Sequence, residues 1–217
     1  MIEQTIAACM HGRYLVVQPA VAGPAPLLVG FHGYAETAEN QLERLRTISA
    51  AQNWRIVSVQ GLHTFYRGRT EEIAASWMTR QQRELMIADN IAYVASVVEA
   101  VDREWPIRSA LVFAGFSQGA AMAFRAAASS PFVSGVISAG GDVPPELGVE
   151  VLSRIRKALI VRGARDEWYT AEKLADDARR LREANVDVQT IEVDGGHEWL
   201  DESSQAASAF LERFSAG

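Results

Sequence analysis

Two kinds of hydrophobic pattern alternate along this chain. Short continuous apolar runs, Leu27 to Phe31, Arg55 to Val59, Ala110 to Phe116, Val133 to Ser138, Ala158 to Val161 and Val186 to Val193, have the character of strands buried on both faces. Between them lie segments whose apolar residues recur every three or four positions. The clearest has Ile87, Ile91, Val94, Val98 and Val101 on one face. Thr79 and Gln82 could form its capping box, and a helix starting slightly later fits equally well. Glu36 to Gln52 reads as a helix, as does Thr170 to Ala184 with Leu174, Ala178 and Leu181 inside. Glu202 to Phe214, carrying Ala206, Phe210 and Phe214, closes the chain. Thr5 to Val17 suggests two short strands around a turn at Gly12, forming an antiparallel edge, and Pro19 to Pro26 is a loop. Gly61 to Met78 is expected to be a long irregular segment.

Strands alternating with helices predict an α/β class: a mostly parallel central sheet with helices on both faces. The 217 residues suit a single domain, 1–217, and contain neither an internal repeat nor a low-complexity segment. Only about fifteen residues, Asp142 to Arg156, separate two successive strands, which leaves no room for an inserted helical lid domain.

Charge narrows the partners. A net charge of -6 and a pI near 5.3, with no basic stripe, argue against nucleic acid. No stretch approaches a membrane span, and Met1 to Met10 show no signal-peptide pattern. The expectation is a soluble, cytoplasmic protein. Cys9, the only cysteine, rules out an intrachain disulfide or thiolate cluster and is read as a small core residue. No metal site is expected. A homodimer is compatible with the sequence but does not follow from it.

The chemistry begins at Gly115-Phe116-Ser117-Gln118-Gly119, a Gly-x-Ser-x-Gly pattern. On its own the pattern is weak, since a serine there could simply cap a helix. Here it joins an apolar strand to a helix rich in alanine (Ala120, Ala121, Ala123, Ala126, Ala127 and Ala128) that can lie close against a sheet. A serine at such a turn sits on strained backbone with its hydroxyl at the carboxyl ends of the strands. Of four histidines, His11, His32, His63 and His197, only His197 lies downstream. It follows the last strand in Asp194-Gly195-Gly196-His197, where the glycines are expected to make a tight turn. Asp166, after the strand Ala158 to Val161, is the candidate acid orienting that base. Asp142 is its main rival, with Glu167 and Asp194 behind. Two oxyanion donors are expected from the backbone: the N–H of Gln118, and that of Tyr34 after Phe31-His32-Gly33. His32 is read as a buttress of that turn.

These residues together resemble the phospholipase/carboxylesterase family of α/β hydrolases, which includes bacterial carboxylesterases and acyl-protein thioesterases. The resemblance covers nearly the whole chain. It rests on Phe31-His32-Gly33, Phe116-Ser117-Gln118-Gly119, Gly163-x-x-Asp166 and Gly196-His197. It implies an α/β-hydrolase fold and a cofactor-free hydrolase that cleaves carboxylic esters or thioesters through Ser117, Asp166 and His197. Three positions depart from the family pattern: Ala120 after Ser-Gln-Gly, Tyr34-Ala35-Glu36 after His-Gly, and Glu167-Trp168-Tyr169 after Asp166. They remove no catalytic group but point away from acyl-protein or lipid substrates.

For substrate contacts the candidates are His32, Phe65, Trp77 and Trp168, with Tyr34 as a further wall and Arg67 or Arg69 as a partner for a carboxylate. The same triad also serves perhydrolases, acyltransferases and small peptidases. A non-catalytic ligand-binding protein on this fold would normally have lost one of the three residues.

Overall fold

A computed structural model describes residues 1–214. The buried apolar runs lie side by side as β2 (Ala25–Phe31), β3 (Arg55–Val59), β6 (Ile107–Phe116), β7 (Gly135–Ala139), β8 (Lys157–Gly163) and β9 (Asp187–Val193), all parallel. β1 (Tyr14–Val17) joins antiparallel to β3, giving the order β1-β3-β2-β6-β7-β8-β9.

Burial on both faces explains the unbroken apolar runs. On one side the core takes Val94, Val97 and Val101 of α2 (Arg83–Glu104), Met122 and Ala123 of α3 (Gln118–Ser129), and Leu181 of α5 (Ala171–Glu183). On the other side it takes Leu45 of α1 (Ala38–Arg46) and Phe210 of α6 (Asp201–Glu212). Burying a side chain the size of Phe210 contributes roughly 2–3 kcal/mol. α4 (Val149–Leu152) is a single turn between β7 and β8, and no lid domain is inserted there. No helix among the described residues is long and apolar enough to cross a membrane.

Five local expectations are corrected. Residues before Arg13 form no strand, so the edge is β1 alone. Gly12 makes no hairpin turn; a Cβ there would lie 2.0 Å from the Tyr93 ring, so glycine lets the chain pass over that side chain. Cys9, in this unpaired segment, is exposed and not a core residue. The helix expected over Glu36 to Gln52 stops at Arg46, because Ile48 adopts an extended conformation, and a 3-10 turn, Ser49–Asn53, follows. Gly61 to Met78 holds a two-stranded hairpin, β4 (His63–Tyr66) against β5 (Ile73–Ser76).

The sheet grows in both directions from β2, with β3 on one side and β6 on the other. The crevice at the carboxyl ends of β2 and β6 is therefore its topological switch point, where open α/β sheets bind ligands. Phe31 and Phe116 end those two strands, so the His32-Gly33-Tyr34 turn and Ser117 meet there.

Candidate active site

Ser117 caps α3 with φ 53° and ψ −120°, a conformation that is costly for a residue with a Cβ. Its N–H donates to Ala139 O at 2.9 Å, which ties the turn to β7. The flanking glycines make this turn sterically possible: a Cβ on Gly115 would lie 2.1 Å from Gly119 O, and one on Gly119 2.1 Å from Phe31 O. The elbow needs both positions bare because helix and strand backbones nearly touch.

His197 Nε2 lies 2.8 Å from Ser117 Oγ, and His197 Nδ1 lies 2.8 Å from Asp166 Oδ2. With Nδ1–H donating to the carboxylate, Nε2 is left to accept the serine proton. The Asp166 side chain is 1% exposed, and its Oδ1 accepts the N–H groups of Trp168 (2.8 Å) and Tyr169 (2.9 Å). Burial pushes this carboxyl up, but hydrogen bonds from Tyr169, His197 and Trp168 outweigh it and hold it below its ordinary value. Asp142 instead pairs with Lys173 Nζ at 3.4 Å, and Asp194 pairs with Arg165.

The Gly195-Gly196 turn does not depend on left-handed backbone, since neither residue has positive φ. Its constraint is proximity: a Cβ on Gly163 would lie 2.1 Å from Gly196 O, and one on Gly195 2.3 Å from Leu200 Cδ1. β8 thus holds the turn that carries His197.

The Gln118 N–H stands in the first turn of α3, where no intrahelical acceptor exists, and the Tyr34 N–H has no acceptor among the described residues. The turn bearing Tyr34 is fixed from both sides. Glu36 Oε2 accepts the Gly33 N–H at 2.7 Å while Arg44 grips the same carboxylate through two bonds of 2.6 Å. Burial raises Glu36, but Arg44 and the Gly33 N–H prevail and leave it lowered. Arg44 also lies 4.2 Å above the Phe116 ring, which contacts the His197 ring at 5.1 Å. His32, fully buried, donates from Nδ1 to Gly33 O (2.7 Å) and accepts the Gly61 N–H at Nε2 (2.9 Å).

Ser117 and His197 open into a cleft of about 270 Å³. Of the expected substrate contacts only Trp168 borders it, 76% exposed. Trp77 is a core residue, packed on Phe31 and donating Nε1–H to His32 O, and buried His32 is likewise out of a substrate's reach. Phe65 stacks with Tyr34 away from the cleft lining. Arg67 is engaged by Ala35 O and Glu72. The sequence reading missed the Gln118 side chain, the Glu36–Arg44 pair and the backbone cap on Asp166. Only the last had a signal, since aspartates habitually accept N–H groups two or three residues on.

A parallel sheet with a serine elbow at its switch point defines an α/β hydrolase. Residues 13–215 match the model of the Phospholipase/Carboxylesterase family, and the chain belongs to that family. It is therefore a carboxylesterase-like hydrolase. The fold is shared with esterase PE8 (TM-score 0.75, 18% identity, 94% of this chain and 100% of that one). It is shared too with the Bacillus cereus carboxylesterase (0.74, 15%, 93% and 94%) and Arabidopsis thaliana SOBER1 (0.72, 15%, 88% and 99%). A search of curated proteins found no match.

Proposed function

We propose that this protein hydrolyses carboxylic esters or thioesters of small molecules through an acyl-enzyme on Ser117. The observation that carries the reading is the unbroken hydrogen-bonded chain from Ser117 Oγ through His197 to buried Asp166. As Ser117 Oγ attacks the acyl carbon, His197 Nε2 takes its proton, and the carbonyl π-electrons move onto oxygen. Asp166, ionised at neutral pH, stabilises the imidazolium without taking the proton. The Gln118 and Tyr34 N–H groups receive the oxyanion. Collapse expels the alcohol or thiol, which leaves with the proton from His197. Water, deprotonated by the same histidine, then releases the acid and restores Ser117.

The cleft's 270 Å³ lies below the usual range for drug-sized ligands, which favours short acyl groups. The test is a fluorophosphonate probe with peptide mapping, followed by a series of esters of rising acyl length. Labelling at Ser117 and a rate that declines beyond short chains are expected. Native protein that fails to label there sinks the mechanism.

A further inference from the structure

The cleft beside Ser117 is positively charged in a protein whose net charge is -6. Three cations border it, Arg83, Arg125 and Lys173, against the carboxylates of Asp142 in the lining and of Glu146 on Arg125, which leaves an excess of one positive charge. Lys173 and Asp142 neutralise each other at 3.4 Å. Arg83 has no ion-pair partner among the described residues. Arg125 is the more unusual case, an arginine in the alanine-rich helix α3, with its side chain 2% exposed. Its Nε and Nη2 both bind Glu146 Oε1, at 2.8 and 2.6 Å. Its Nη1 has only the sulfur of Met78, a cleft residue, at 3.7 Å. Sulfur is a weak acceptor, so a buried cationic donor is left nearly unsatisfied, at a cost that a stronger acceptor would relieve.

We infer that the cleft selects esters carrying an anionic group, a carboxylate or similar oxyanion, which Arg83 and Arg125 bind while the ester carbonyl lies at Ser117. A guanidinium pairs with carboxylate or phosphate through charge-assisted bonds, so a substrate anion would engage both the exposed cation and the underused Nη1. The inference rests on the hydrolase reading for the bond that is cleaved. The charge arrangement is independent of it.

Matched ester pairs test it by proton release. Monoethyl succinate against ethyl butyrate places the anion on the acyl side; acetoxyacetate against ethyl acetate places it on the alcohol side. For at least one pair, kcat/KM of the anionic member should exceed that of the neutral one by about tenfold, mainly through KM. The preference should shrink in 0.5 M salt, where the Debye length is only about 4 Å. Arg83→Glu should reduce the anionic-to-neutral ratio by about fivefold or more; Arg83 is exposed, so folding is not at stake. Equal rates within both pairs, or a ratio that Arg83→Glu leaves unmoved, overturn the inference. Neutral esters turned over with Ser117 labelled would at the same time uphold the hydrolase reading. If no ester is turned over, calorimetric binding of monoethyl succinate and ethyl butyrate to the Ser117→Ala chain decides. Salt-sensitive preference for the succinate ester upholds the inference, and equal binding overturns it.

Discussion

Gln118 and Trp77 are joined by a hydrogen bond from the Trp77 N–H to Gln118 Oε1, at 2.9 Å. The same oxygen accepts Ser76 Oγ–H at 3.2 Å, and Gln118 Nε2 donates to Met78 O at 3.1 Å. The residue whose backbone N–H is assigned to the oxyanion hole thus clamps the end of β5 to the elbow with its side chain. Gln118→Ala leaves the buried Trp77 N–H without its acceptor, while Ser76 Oγ and Met78 O keep each other at 2.8 Å, and a loss of about 1–3 kcal/mol in urea unfolding is expected. Because the backbone donor survives, kcat should fall by only about tenfold, with KM little changed. A full loss of activity in a stably folded variant would show that the side chain itself does chemistry.

Asp166 can be separated from its rival by two isosteric changes. In Asp166→Asn the side chain can no longer hold Nδ1–H as a charged acceptor, and kcat should drop by roughly 10³–10⁴ with the fold retained. Asp142 lies half-exposed against Lys173, so Asp142→Asn should cost less than about tenfold. Steady-state kinetics on one neutral ester, with circular dichroism as a check of folding, distinguish the two. The reverse ranking would move the acid to Asp142.

Much of this architecture was legible because it is local in sequence. The parallel strands read correctly since burial on both faces leaves continuous apolar runs, and Ser117 stood out at a strand–helix junction. Misreadings came where a pattern needs a partner to become structure. Thr5 to Val17 has strand-like composition, but only Tyr14–Val17 finds an edge, beside β3. Ile73–Ser76 is half alanine, which signals no strand, yet His63–Tyr66 supplies the pairing. Trp77 reads as a pocket wall because it lies within the long segment Gly61 to Met78, whereas the hairpin carries it into the core. The stacking of Arg44 on Phe116 joins residues distant in the chain, and no spacing rule predicts it.

Gly163 and Gly196 differ sharply despite touching the same turn. A Cβ on Gly163 would lie 2.1 Å from Gly196 O and 2.7 Å from Gly195 O, both backbone atoms. Gly163→Ala should push the turn, and His197 with it, off Ser117. Misplacement on the order of 1 Å can cost about 10²-fold in kcat. A Cβ on Gly196 meets nothing nearer than Glu198 Oε1 at 3.9 Å, and its φ is not positive. Gly196→Ala should therefore stay within about twofold in kcat and about 0.5 kcal/mol in stability. Rates of fluorophosphonate labelling would report the same contrast without a substrate.

Asp177 introduces a pH dependence opposite in sign to that of Asp166, whose carboxyl is held low. It lies on α5, buried, with Oδ2 accepting the Val143 N–H at 2.9 Å and the Tyr169 hydroxyl at 3.1 Å. Burial pushes its carboxyl up from 3.8 to about 6 in spite of those bonds, and the like charge of Asp142 adds to the shift. Between those two values the folded chain binds more protons at this site than the unfolded one. Its contribution to stability is therefore fully present below about pH 4 and is lost as pH rises through about 6. His32, lowered chiefly by burial, gives a slope of the opposite sign, and so total stability alone would mislead. His32 is common to both proteins, so the difference between Asp177→Asn and wild type isolates the carboxyl. Asparagine carries no charge to desolvate, so the variant should gain on wild type by about 2 kcal/mol between pH 4 and pH 6 and by only a few tenths more above that. Urea unfolding at pH 4.5, 5.5 and 7 measures this difference directly. A constant offset across the three would mean that Asp177 has the same proton affinity folded and unfolded, with its hydrogen bonds cancelling the cost of burial.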